Sequence, residues 1–105
     1  MIRGEIWLVN LDPTIGSEIR KTRPCVIVSP PEMHDYLHTV IVAPVTTKGR
    51  AAPFRIAVVH GGQRGLILLD QMRAVDKTRL AKKVGAVSAK TLTSTLSTLQ
   101  DAFAE

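Results

Sequence analysis

The sequence predicts an α+β protein that is mostly β, a small curled sheet or barrel finished by one C-terminal helix. Three observations carry this. Short β-branched runs recur up to Val87, each bounded by Pro or Gly. Apolar residues switch to helical spacing once, after Ser88. The 105 residues are 45% hydrophobic and 22% charged, which fits one globular domain over 1–105 and is too apolar for a disordered chain.

Residues Glu5–Leu11 read as a first strand, ended by Asp12-Pro13. A basic loop follows from Thr14 to Thr22, with Gly16 inside it. Cys25–Val28 is a second strand between Pro24 and Pro30; it is apolar on both faces and therefore central and buried. Pro30-Pro31 and Tyr36 place His34 and His38 in a loop. Thr39–Val45 is a third strand in which Pro44 marks an edge or a bulge. Phe54–Val59 is a fourth, Gly61-Gly62 a turn, and Gly65–Gln71 opens a fifth that continues toward Val75. Arg79–Lys83 reads as a short helical turn and Val84–Val87 as a closing strand. Ser88 is a good N-cap, since its hydroxyl can accept from a first-turn amide. Leu92, Leu96, Leu99 and Phe103 then form one apolar stripe for docking on the sheet. The intervening Thr and Ser are mediocre helix formers, so tertiary packing must hold this helix.

Lys plus Arg number 14 against 9 Asp plus Glu, a net charge of +5. The excess is uneven: no acid lies between Tyr36 and Leu69, where Lys48, Arg50, Arg55 and Arg64 fall. A one-signed stretch attracts a polyanion and is weakened by salt. No apolar run approaches the roughly 20 residues that cross a bilayer. The opening Met1-Ile2-Arg3-Gly4-Glu5 lacks the apolar stretch of a signal peptide, so a cytoplasmic protein without a membrane partner is expected. The lone Cys25 forbids an internal disulfide, and Cys25, His34, His38 and His60 lack metal-site spacing, so no metal and no cofactor is expected. Of the four aromatics, Trp7, Phe54 and Phe103 fall at core positions beside Tyr36, leaving almost nothing for a base-stacking platform.

Chemistry candidates gather in two places. The loop Gly16-Ser17-Glu18-Ile19-Arg20-Lys21-Thr22-Arg23-Pro24 runs into a buried strand, and Pro24 keeps Arg23 extended, so that its planar cation suits bidentate phosphate contact. At Val45-Thr46-Thr47-Lys48 a strand delivers two hydroxyls and an ammonium to the next loop. Ordinary readings stand beside these: Arg23 as an ion-pair residue, with Glu18 for instance, and Thr46 as a β-former at a strand end.

The opening Arg3-Gly4-Glu5-Ile6-Trp7-Leu8-Val9, the Asp12-Pro13-Thr14-x-Gly16-Ser17-Glu18 loop, Arg23-Pro24 and Val45-Thr46 together resemble the MazF/PemK (Kid) toxins. So do Pro53-Phe54, Gly65-Leu66 and the run Asp70-Gln71-Met72-Arg73-Ala74-Val75-Asp76-Lys77-x-Arg79-Leu80, in order over nearly the whole chain. The resemblance implies an SH3-like barrel with a C-terminal helix. It also implies a sequence-specific, metal-independent endoribonuclease of a toxin–antitoxin module, acting on single-stranded RNA as a homodimer and neutralised by a MazE-like antitoxin whose acidic tail folds over the RNA groove.

Carried over residue by residue, the resemblance makes Arg23 and Thr46 the catalytic pair, with Glu18 as accessory. The RNA's own 2′-hydroxyl is then the nucleophile, leaving a 2′,3′-cyclic phosphate and a 5′-hydroxyl. Ser17, Arg20, Lys21, Thr47, Lys48, Arg50 and Asp70 are the candidate RNA contacts. The chain departs from the Kid branch, which carries Arg-x-Asp where Leu68-Leu69-Asp70 stands and His where Ser17 stands, so the Arg23/Thr46 scheme is preferred. Asp70 also reads as a strand-end acid paired with Arg73 or Arg23. Two other classes remain: a CcdB-like gyrase-binding toxin, disfavoured because the only Trp is at position 7 and the chain ends Gln100-Asp101-Ala102-Phe103-Ala104-Glu105, and an inactive relative that only binds RNA or antitoxin.

Overall fold

The elements run β1 (Glu5–Asn10), β2 (Thr22–Ile27), α1 (Pro31–Tyr36), β3 (Thr39–Thr46), β4 (Arg55–His60), β5 (Gln63–Leu68), β6 (Arg73–Asp76), β7 (Leu80–Ala86) and α2 (Ala89–Phe103). Short 3-10 turns stand at Leu69–Gln71 and Lys77–Arg79. The coordinates are a computed structural model that describes residues 1–12 and 21–105. The strands form one curled antiparallel sheet in the order β4-β5-β3-β2-β1-β7, with β6 paired to β3 as well. The mostly-β sheet with a single long C-terminal helix is the architecture expected from the sequence. Among the described residues no helix is long and apolar enough to cross a membrane.

Both faces of the central strands are covered. Val26, Val28, Ala43, Val45 and Ile67 pack into one cluster with Ile6 and Val58, while Cys25, Ile27, Val40 and Val42 pack into another with Val9 and Leu11. This is why β2 and β3 are apolar at consecutive positions instead of alternating. Burial pushes the Cys25 thiol up to about 12, opposed only by the charge of Arg73, so it is an inert core group.

Several elements differ from the sequence expectation. Residues 31–36 form a helix where a loop was expected: Pro31 sits at its first position, where the missing N–H has no helical role, and Met33 N donates to Pro30 O at 3.0 Å. His34 is buried there, its Nε2 2.6 Å from Ser29 Oγ, which in turn accepts from Ile41 N. Pro44 lies in the most central strand, neither on an edge nor in a bulge. It falls between Val42, the last residue of β3 paired with β6, and Val45, the first paired with β5, so its missing N–H meets a break in the ladder. The expected long fifth strand is cut by the 3-10 turn at Leu69–Gln71. The expected helical turn at Arg79–Lys83 is largely the start of β7, with the 3-10 turn three residues long just before it.

The Gly61-Gly62 turn is as expected, with φ of +59° and +77° closing the His60↔Gln63 pair. Ser88 caps α2, accepting from Thr91 N at 3.1 Å. The helix stripe is realised at Leu92, Leu96 and Leu99 but not at Phe103. Leu99 packs on the core, Leu92 lies against Gly4, and Thr95 is fully buried with its hydroxyl donating to Thr91 O at 2.8 Å. Phe103 is 74% exposed and Phe54 46% exposed, so neither is a core residue: Phe103 is in the last turn of α2 and Phe54 precedes β4.

Glu5 fastens the first strand. Its carboxylate meets Lys83 Nζ at 2.8 Å, and accepts from Trp7 Nε1 at 3.1 Å and Ile2 N at 2.8 Å. Burial alone would raise its pKa, but these hydrogen bonds and the Lys83 charge outweigh it and hold the group at about 2 against an ordinary 4.5. A lowered carboxylate stabilises the fold above the ordinary value and loses that contribution as pH falls toward the folded one. Glu5→Gln is therefore expected to lower the melting temperature at pH 7 by roughly 5 °C, with the gap to wild type closing between about pH 4.5 and 2 in a thermal-melt series.

Candidate functional site

Arg23 and Thr46 are brought to one place by strand register. Arg23 is the second residue of β2 and pairs with Val9 of β1. On its other side β2 runs against β3 through Ile27↔Val42, Val26↔Ala43 and Cys25↔Pro44. Carried two residues further, that register puts Arg23 across from Thr46, the last residue of β3. Arg23 is exposed and Thr46 half-buried, an arrangement in which a cation and a hydroxyl face solvent above an apolar floor.

Thr46 is held on every side. Its backbone pairs with Leu66, and its carbonyl lies so close to Gly65 that a Cβ there would come within 2.9 Å of the oxygen. Thr46 Oγ1 accepts from Lys48 N at 3.2 Å, which occupies an acceptor site of the hydroxyl and leaves its proton to donate outward. A Cβ on Gly49 would stand 3.0 Å from Thr46 Cγ2. Thr47, Lys48 and Arg50 are exposed on the loop that follows, so the expected RNA contacts after β3 do share one surface with Thr46.

The base of the loop that carries the other candidates is clamped. Leu11 N donates to Lys21 O at 3.0 Å and Lys21 N to Asp12 Oδ1 at 2.9 Å. Arg73 Nη1 donates to Leu11 O at 3.1 Å, and Arg79 Nη1 to the carbonyls of Asn10 and Asp12. Lys21 has φ of +66°, the one described residue besides glycine in the left-handed region. Ser17, Glu18 and Arg20 lie outside the described residues.

Asp70 has neither of its expected partners. Arg55 takes it, Nε to Oδ1 at 3.2 Å and Nη2 to Oδ2 at 3.1 Å, while Arg73 is occupied at Leu11. The hydrogen bonds Arg55 donates to Asp70 raise the Arg55 pKa; partial desolvation opposes this, and the Asp70 charge adds to the rise. Arg55 was visible in the sequence only as one cation of the acid-free stretch; the cue that could have singled it out is its place beside Phe54, opposite Leu68 in the β4–β5 hairpin set by Gly61-Gly62. Among the described residues no three His, Cys, Asp or Glu side chains converge as a metal site.

The chain is similar to known proteins over nearly its whole length. A family model described as PemK-like, MazF-like toxin of type II toxin-antitoxin system matches residues 2–103. Endoribonuclease PemK of Escherichia coli is 42% identical over 93 residues, covering 83% of this chain and 70% of that protein. Endoribonuclease MazF of Staphylococcus saprophyticus is 35% identical over 96 residues, covering 86% of this chain and 80% of that protein. The crystal structure of MazF from Deinococcus radiodurans superposes with a TM-score of 0.84 at 25% identity, over 97% of this chain and 94% of its own. The MazE-MazF complex of that organism superposes with 0.78 at 22% identity, over 97% and 93%.

Gly65 is the position where this geometry is least forgiving, because the obstacle is backbone. Gly65→Ala is expected to destabilise the protein by about 1–3 kcal/mol, measured by urea unfolding, as β5 is pushed off Thr46.

Proposed function

The chain belongs to the PemK-like, MazF-like toxins of type II toxin-antitoxin systems and is an RNA-cleaving toxin; we propose that Arg23 and Thr46 carry the reaction, with the RNA's 2′-hydroxyl as nucleophile. The observation that supports this most is the β2–β3 register, which, continued two residues beyond Cys25↔Pro44, aligns Arg23 with Thr46.

The 2′-oxygen forms a bond to the adjacent phosphorus, and the bond from phosphorus to the 5′-oxygen breaks. The products are a 2′,3′-cyclic phosphate and a 5′-hydroxyl. The proton lost from the 2′-oxygen is balanced by the one gained at the leaving 5′-oxygen. Negative charge accumulates on the non-bridging oxygens, and a guanidinium aimed there stabilises the transition state more than the ground state. Arg23 fills that role, and Thr46, its acceptor side taken by Lys48 N, donates to the same phosphate. Threonine is too weakly acidic to serve as an unaided base. Glu18, on the loop before Arg23, is assigned the accessory role. Ser17, Arg20, Lys21, Thr47, Lys48 and Arg50 extend the groove for a single strand, which acts in the cytoplasm without metal.

The partner that the family implies is an antitoxin. An acidic segment suits the same exposed cations, so antitoxin and RNA compete for one surface. The active form is a homodimer. Phe103 and Phe54, both substantially exposed, flank an apolar groove of about 180 Å³ with Leu69, Met72 and Leu99, a surface of the kind that a second copy covers.

Arg23→Ala is expected to lower kcat by about 10²–10³-fold and Thr46→Ala by about 10²-fold, with unchanged melting temperature. Wild-type rates in both variants would sink the assignment. An RNA carrying a 2′-deoxy sugar at the cut site should bind and stay intact, while the all-ribose strand is cut in EDTA to 5′-hydroxyl ends. Phe103→Glu is expected to shift sedimentation toward the monomer; an unchanged dimer would place the interface elsewhere.

A further inference from the structure

Arg55 makes three directed hydrogen bonds at once. Two go to the Asp70 oxygens, and Nη1 donates to Arg50 O at 3.1 Å. The fork thus ties the strand β4 and the 3-10 turn at Asp70 to the loop that leaves Thr46. Inside that loop Gly49 rests against the Thr46 methyl group, and Arg55 Nη1 stands 3.5 Å from where a Gly49 Cβ would be. Lys48 N also ties the loop to Thr46 Oγ1 itself.

On the reading that Thr46 acts on the phosphate, we propose that Arg55, locked by Asp70, is a positioning residue for Thr46. The chain of contact is short: Asp70 orients the guanidinium, the guanidinium holds Arg50 O, and the loop so held sets Gly49 against Thr46 Cγ2 and Lys48 N against Thr46 Oγ1. Both the methyl and the hydroxyl of Thr46 then have a neighbour held in place by the loop. A lysine at 55 retains the charge but cannot make three bonds in one plane. Because the Asp70 carboxylate neutralises it and three of its five donors are engaged, Arg55 contributes little attraction for RNA.

The test compares wild type with Arg55→Lys, Asp70→Asn, their double variant and Thr46→Ala. Each is assayed for kcat and KM on one single-stranded RNA, and for binding to the same RNA with a 2′-deoxy sugar at the cut site, at salt from about 50 to 200 mM. Positioning predicts kcat lower by roughly 10–100-fold in each single variant, with affinity for the deoxy strand within about twofold. The double variant should be no worse than the singles, since both break one unit. A weaker affinity with unchanged kcat, and a salt slope reduced by about one, would make Arg55 a phosphate contact instead. If Asp70→Asn, which keeps size and shape, is unfolded at the assay temperature, the pair serves folding and the proposal falls. Full activity in Thr46→Ala would overturn the reading of the site itself. Loss in Thr46→Ala with wild-type kcat in Arg55→Lys and Asp70→Asn would overturn only the inference about Arg55.

Discussion

Val42, Pro44 and Thr46 belong to one strand yet face different partners across its second edge, and the rest of the chain is arranged around that change. Up to Val42 the edge is taken by β6; from Val45 it is taken by β5. On the opposite edge β2 continues past the switch to Pro44. A proline can occupy such a break without losing a ladder bond, and its fixed φ keeps the strand extended through it. Because β5 and β6 share one edge of β3, the chain between them must turn away from the sheet and return. The 3-10 turn at Leu69–Gln71 does this, which puts Asp70 outside the ladder beside Arg55.

The same switch separates packing from chemistry. Before it, β3 alternates Val40 and Val42 into one cluster with Ala43 in the other, all of them buried. After it, only Val45 is buried, and Thr46 is the first residue whose side chain reaches the surface. The site thus begins where the core ends, on a strand whose position is fixed by two covered faces. Such a platform holds a hydroxyl more rigidly than a loop would. The loop after Thr46 is then drawn back onto the platform by Arg55.

What was legible in the sequence was what short-range chemistry determines. Ser88 announced α2 because a hydroxyl at that place has an amide to accept, and Gly61-Gly62 announced a hairpin because two positive φ values are needed there. Arg23 and Thr46 stood out through motif resemblance, whereas their alignment depends on a register between residues fifteen and more positions apart. Long-range pairing also explains the errors. Phe103 continues the helical stripe faithfully, but how far the sheet extends beneath the helix is not written in the helix. The helix at Pro31–Tyr36 was hidden by Pro30-Pro31, which read as a breaker and act as a helix start. Asp70 was expected to pair with Arg73 or Arg23, yet Arg73 is committed to Leu11 O and a residue fifteen positions away claims the carboxylate.

The described groups gathered at Thr46 include no histidine. They are an arginine across the strand, a lysine and an arginine in the loop, and a carboxylate engaged by Arg55. The histidines lie elsewhere: His34 is buried against Ser29, His38 precedes β3, and His60 closes the far end of β4 against Gly85. On the proposed mechanism the rate comes from placing positive charge and hydroxyl protons where the phosphate gains charge. Electrostatic stabilisation of that kind depends steeply on geometry, since a donor swung aside by one rotamer contributes nothing to the transition state. That is the physical reason a strap such as Arg55–Asp70, itself remote from the reacting atoms, belongs to the chemistry and not only to the fold.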